Sequence, residues 1–196
     1  MSRDYDLAER RARFGEKLAA FRNRIVICGG TGCMANGAMA LYDRFRELIE
    51  ERSLSVSLSV EREEGDVCMS LSGCQGFCQL GPLVTVYPQG IFYNRVRPED
   101  AEEIVEKTIM RGELVERLLY QCDDGSHAVH EGDVPFYARQ RRTTLALCGQ
   151  IDAGDIEEYI SRGGYAEAKR AYLELSAEDI CGEVLRAGLR GRGGGG

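Results

Sequence analysis

Two cysteine pairs, Cys28-x4-Cys33 and Cys74-x3-Cys78, carry the residue types best suited to chemistry in this chain. Each pair lies in a short loop with glycine, beside an apolar run. The first reads Ile25-Val26-Ile27-Cys28-Gly29-Gly30-Thr31-Gly32-Cys33, the second Leu71-Ser72-Gly73-Cys74-Gln75-Gly76-Phe77-Cys78. Four thiolates brought by two loops at strand ends are what an iron–sulfur cluster needs. Glycine in both loops lets backbone N–H groups approach the sulfurs with no Cβ in the way, which matters because such a centre gains negative charge on reduction. Three other readings use the same residues. A structural zinc site also takes four cysteines, usually as two short C-x2–4-C knuckles, and C-x4-C only just fits that form. A redox disulfide is a second, although the C-x-x-C of thiol–disulfide oxidoreductases is absent from the sequence. Buried free thiols are the third, since cysteine is among the most buried residue types.

Three of the other cysteines look structural. Cys68 alternates with Val67 and Met69 in a strand-like run, and Cys148 stands alone before Gly149. Cys181 shares a helical face with Ala177, Ile180, Val184 and Leu185, which predicts a core position for it. His127 and His130 are spaced as a metal pair, but no further ligand stands beside them.

Elements must hold the two loops together. Arg24 to Cys28 reads as the first core strand. Asn36 is placed to cap a helix with apolar residues at Ala38, Leu41, Tyr42, Phe45, Leu48 and Ile49, whose N-terminus would face Cys33. Leu54, Val56, Leu58 and Val60 alternate with Ser55, Ser57 and Ser59, predicting a strand with one wet face. Val67 to Leu71 delivers the chain to Cys74. Leu83–Tyr87 and Ile91–Tyr93 flank Pro88-Gln89-Gly90 as a hairpin, and Pro98 opens a helix that Gly112 closes. The expected class is α/β (α+β), with a small mixed sheet over residues 23–112. Residues 1–22 read as a helical arm with Leu7, Phe14, Leu18 and Phe21 on one side, and 113–145 as a polar linker. Short helices follow over Asp152–Ser161, Tyr165–Leu175 and Ser176–Ala187, with Ser176 and Asp179 as a capping box.

Composition excludes several function classes. A formal charge of −7 argues against general nucleic-acid binding, and 43% hydrophobic residues suffice for a core. No run approaches the roughly 20 apolar residues of a membrane span. The opening Met1-Ser2-Arg3-Asp4-Tyr5-Asp6 carries no apolar signal region, so a cytoplasmic location is expected, where eight cysteines favour metal over a disulfide framework.

The segment Ile25 to Leu83, with its four cysteines and Leu80-Gly81-Pro82, resembles the thioredoxin-like [2Fe–2S] ferredoxins, which include the small NADH-dehydrogenase subunit of respiratory complex I. Asp133-Val134-Pro135-Phe136-Tyr137, Cys148-Gly149, Asp155–Tyr159 and Gly163-Gly164-Tyr165 are similar to the opening part of the flavin-bearing, NADH-binding subunit of the same complex. Gly188–Gly196 is similar to that subunit's FMN loop. The fusion of the two parts resembles the diaphorase subunits of NAD-linked hydrogenases, including electron-bifurcating ones, and of related formate dehydrogenases. The resemblance implies a [2Fe–2S] cluster on Cys28, Cys33, Cys74 and Cys78. It implies that Gly191, Arg192, Gly193 and Gly194 contribute to FMN phosphate binding in a complete subunit. Residues 146–196 are then expected to be the truncated start of an FMN/NADH-binding domain, because that family runs on through the flavin pocket, an NAD(H) site and a [4Fe–4S] motif. FMN and NAD(P)H would be cofactors of the complete subunit only. Implied partners are other subunits of a redox complex: a small [2Fe–2S] subunit and a hydrogenase or formate dehydrogenase catalytic subunit. The expected role is electron transfer with no catalytic acid, base or nucleophile. A zinc-stabilised docking domain and a thiol–disulfide oxidoreductase are the alternatives.

Overall fold

A computed structural model describes residues 6–52, 54, 56–57, 66–191 and 193 of the chain. Its centre is a five-stranded sheet of β1 (Asn23–Cys28), β2 (Val56–Ser57), β3 (Val67–Ser72), β4 (Val84–Tyr87) and β5 (Ile91–Tyr93). The strand order is β2-β3-β1-β4-β5. β2, β3 and β1 run parallel, whereas β4 and β5 are antiparallel and joined by the expected hairpin. Of the alternating run 54–60, the described strand is Val56–Ser57. Ser55, Leu58, Ser59 and Val60 lie outside the described residues.

Alternate side chains of β1 and β3 point to opposite faces, and both faces are covered. On one, Ile25, Ile27 and Met69 join Leu41, Phe45, Leu48 and Ile49 of α3 (Ala38–Glu51) in the main core. Ile104, Val105 and Ile109 complete that layer from α4 (Ala101–Glu103) and the π-helical run Ile104–Ile109 that continues it. As expected, Pro98 begins this unit in a 3-10 turn, and Gly112 ends it with φ +72. On the other face, α1 (Leu7–Ala19) and the segment after it bring Phe14 and Phe21 over Cys68. α6 (Ile156–Ser161) packs beside α1 and sends Glu158 between them and the sheet. Double cover explains why β3 is buried along almost its whole length.

Glu158 is fully buried and takes both guanidinium nitrogens of Arg24, at 2.6 and 2.7 Å. It also accepts from the Asp152 backbone N–H at 2.8 Å, while Arg24 donates to Ser70 Oγ at 3.1 Å. A carboxylate enclosed this completely must be paired. The pair fastens α6 to β1 across 134 residues of sequence.

Three expectations are corrected. Asn36 does not begin α3. The chain winds into a short helix, α2 (Thr31–Ala35), directly after Gly30, so Asn36 closes α2 and Gly37 at φ +93 starts α3. Residues 113–145 are no plain connector. Val115, Leu118, Leu119, Ala128, Val134 and Tyr137 belong to the main core. A small ribbon of β6 (Tyr120–Gln121) and β7 (His127–Ala128) lies here, ahead of the short helix α5 (Pro135–Ala138). The Phe92 N–H donates to Val129 O at 2.8 Å and the Asn94 N–H to Leu118 O at 2.9 Å, so the stretch satisfies the outer edge of β5. Finally, Cys181 is exposed rather than in a core. It sits on α8 (Ala177–Arg186), which follows α7 (Ala166–Glu174), and neither helix has a buried residue. The Ser176–Asp179 capping box is present at the start of α8.

No helix among the described residues is long and apolar enough to cross a membrane.

Candidate metal centre

Parallel pairing of β1 with β3 brings the two cysteine loops together. In the register Cys28 lies opposite Ser72, so both strands end at the same edge, one on a cysteine and the other two residues before Cys74. The Gly29 N–H donates to Ser72 O at 2.9 Å and locks the two exits side by side. Beyond β1 the chain turns through Gly29-Gly30 into α2, which carries Cys33. Beyond β3 it passes Cys74 and enters a single 3-10 turn, Cys78–Leu80, before Gly81-Pro82 leads into β4.

The four sulfurs are near neighbours across these loops. Cys28 interacts electrostatically with Cys33 and Cys74, and Cys33 with Cys78. A Cβ placed on Gly30 would lie 3.0 Å from Cys74 Sγ, one on Gly32 3.1 Å from Cys78 Sγ, and one on Gly81 2.5 Å from Cys33 Sγ. Three glycines thus form the wall against which three of the thiols rest. Cys28 and Cys33 are buried, whereas Cys74 and Cys78 are exposed. The centre has an inner and an outer half.

The inner pair is split electrostatically. The Cys28 thiol is pulled down, chiefly by its interaction with Cys33, with burial opposing and the backbone N–H groups of Gln75 and Gly30 assisting. Cys33 moves up, because it holds the proton the pair shares and because it is buried; the Leu83 N–H works the other way. Sulfur charge in the inner half is therefore met by backbone donors.

All eight cysteines are free thiols, so no disulfide competes for these four. The donor set and the glycine wall fit a binuclear iron–sulfur group.

Other candidate residues stand apart. His130 Nδ1 is 3.1 Å from Gly90 O, and His127 is exposed on β7. Cys68 lies under Phe14 and Phe21 on the far face of the sheet, where burial pushes its thiol up to about 11. Of the glycine-rich stretch, Gly191 and Gly193 are exposed, while Arg192 and Gly194 lie outside the described residues. Sequence reasoning missed the outer frame of the second loop. Arg142 Nη2 donates to Gln75 O at 2.9 Å, and Phe77 stacks on Phe136 with ring centroids 4.2 Å apart. These contacts join residues about 60 or more positions apart in sequence, and no local pattern signals them.

The family described as Thioredoxin-like [2Fe-2S] ferredoxin matches residues 16–109. A 2Fe-2S ferredoxin of Clostridium pasteurianum is 37% identical over 86 residues, covering 44% of this chain and 76% of that protein. One from Aquifex aeolicus is 37% identical over 87 residues, covering 44% and 71%. The crystal structure of the wild-type thioredoxin-like [2Fe-2S] ferredoxin from Aquifex aeolicus shares 32% identity, covers 50% of this chain and 96% of its own, and gives a TM-score of 0.40. With its paired cysteine loops and relatives matched over most of their length, the chain belongs to the thioredoxin-like [2Fe–2S] ferredoxin family.

Proposed function

We propose that Cys28, Cys33, Cys74 and Cys78 hold the [2Fe–2S] cluster, and that the chain is the electron-transfer part of an NAD(P)H-linked oxidoreductase in the cytoplasm. The observation that carries the ligand assignment is the β1/β3 register, which sets Cys28 opposite Ser72 and so gathers both loops. When bound, the cluster takes up and releases one electron at a time, plant-type clusters doing so near −400 mV. The protein's own residues do the rest. Buried Cys28 and Cys33 keep water from the inner half, and the N–H groups of Gln75, Gly30 and Leu83 offset thiolate charge there. Exposed Cys74 and Cys78 bring the outer half to the surface, where a redox partner can approach.

The finer reading is a diaphorase-type subunit of a hydrogenase or formate dehydrogenase complex. Its parts are a helical arm (1–22), the ferredoxin domain (23–112), a joining segment (113–145) and the start of an FMN/NADH-binding domain (146–196). Gly191, Arg192, Gly193 and Gly194 would contact the FMN phosphate in the complete subunit. Support comes from the sequence pattern after residue 133 and from the seating of α6 on the ferredoxin sheet through Glu158.

Single alanine replacements of all eight cysteines test the ligand assignment. Loss of iron and of visible absorption is expected for Cys28, Cys33, Cys74 and Cys78, with both retained for Cys68, Cys122, Cys148 and Cys181. Retention in Cys74→Ala with loss in Cys68→Ala would contradict it. For the finer reading, the FMN-loaded subunit carrying Arg192→Ala should bind flavin more weakly by about 1.5–3 kcal/mol, the range for a charge-assisted contact. Unchanged affinity would remove Arg192 from the flavin site.

A further inference from the structure

Segment 131–149 grips the second cysteine loop from outside, and all of it lies beyond residues 16–109 matched by the ferredoxin family. Gln75, next to Cys74, is almost wholly buried and held on several sides. Its side-chain Nε2 donates to Ser72 Oγ at 3.3 Å, and its methylenes press so closely on Gly149 that a Cβ there would come within 2.6 Å of Gln75 Cγ. Its carbonyl accepts from Arg142. Arg142 in turn lies over the Tyr137 ring, with Cζ 4.6 Å from the centroid, and its Nη1 is 3.4 Å from Glu131 Oε1. Phe77, beside Cys78, stacks on Phe136 and meets Tyr137 edge-on. The one guanidinium therefore links the loop, an aromatic platform and a carboxylate.

We propose that Arg142 is a positioning residue of the metal centre: it holds the Cys74–Cys78 loop through the Gln75 carbonyl, and its charge, tempered by Glu131, raises the reduction potential. The proposal rests on the assignment of the cluster to Cys28, Cys33, Cys74 and Cys78. Reduction adds one electron from the external reductant and hence one negative charge to the thiolate-bound group. A fixed cation favours that added charge, and a fixed anion opposes it. Aromatic stacking and the carbonyl contact keep the cation in place, which a freely moving surface side chain would not achieve. Segment 131–149 thereby couples the carrier's potential to the seating of the chain that follows the ferredoxin domain.

Arg142→Met, Arg142→Lys and Glu131→Gln in the full chain test this, read by mediated redox titration with dithionite and by hydrogen exchange of residues 73–79. Arg142→Met should reduce the equilibrium constant for one-electron reduction about tenfold, a shift of about 59 mV to more negative potential. Glu131→Gln should shift the potential the opposite way. Arg142→Lys should hold the potential nearer to wild type while exchange across 73–79 accelerates, because an ammonium keeps the charge but not the planar fork. Wild-type potentials in both Arg142→Met and Glu131→Gln at full iron content would overturn the proposal. If Arg142→Met loses its iron, Glu131→Gln decides alone, and a potential that is unmoved or lowered overturns it. Failure of the ligand assignment reads out separately, as iron retained in the cysteine variants.

Discussion

Replacement of glycines around the thiols provides a graded test of the site's geometry. Gly81 has φ −73° and ψ 158°, a conformation open to every L-residue, so alanine there alters space and little else. The new Cβ would lie 2.5 Å from Cys33 Sγ, about 1 Å inside the 3.5–4.0 Å of ordinary heavy-atom contact. Cys33 is only 1% exposed and cannot swing aside into solvent. Overpacking a filled site costs about 1–3 kcal/mol, and at about 1.4 kcal/mol per decade the upper figure weakens cluster retention roughly hundredfold. Gly30→Ala comes next, because its Cβ would meet both the sulfur and the Cα of Cys74, at 3.0 and 3.1 Å. Gly32→Ala should be milder, since its neighbour is the exposed side chain of Cys78. Gly73→Ala is the control: it adjoins Cys74, yet its Cβ would have nothing within 4 Å. Iron and sulfide content after gel filtration with a chelator, beside the melting temperature of each variant, gives the order. Full retention in Gly81→Ala, or loss in Gly73→Ala, would refute the packing argument.

Other predictions concern the frame. Glu158→Ala leaves the Arg24 guanidinium buried without its carboxylate and should cost about 3–5 kcal/mol, about 6–20 °C in melting temperature at 2–4 °C per kcal/mol. The double variant Arg24→Leu/Glu158→Leu should recover most of that loss, and a purely additive double-mutant cycle would count against the pair. Tyr93→Phe removes the hydroxyl that sits 2.7 Å from Thr108 Oγ1 and accepts from the Val115 N–H at 3.1 Å. A loss of about 1–3 kcal/mol in chemical denaturation is expected, and under about 0.5 kcal/mol would mean that water replaces it. Iodoacetamide at pH 8 should label exposed Cys181 and spare Cys68. Burial raises the Cys68 pKa to about 11, so its thiol stays protonated below that pH. Labelling of native Cys68, read by mass spectrometry, would contradict its place beneath α1.

The cysteine pairs and most sheet elements were legible because their signals are local. Loop spacing marked Cys28, Cys33, Cys74 and Cys78, and strand patterns marked β1, β3 and the β4–β5 hairpin. Period-3.6 spacing fixed α3, but not its start. Asn36 has the side chain of a cap, and only the early winding of α2 hands that position to Gly37. What stayed hidden is long-range. Hydrophobic residues spread through 113–137 look like a polar linker one by one, yet they become core once laid along the edge of β5. Glu158 reads as one more helix charge until the fold places it on Arg24. In α8 the error ran the other way: its apolar stripe looks like a core face, and among the described residues nothing buries it.

Metal and sulfide analysis of the purified chain, joined to electron paramagnetic resonance before and after dithionite, tests the central claim most directly. Two iron and two acid-labile sulfides per chain are expected, with no signal as isolated and one half-integer spin per chain appearing on one-electron reduction. Stoichiometric zinc without iron in anaerobically prepared protein would contradict the account.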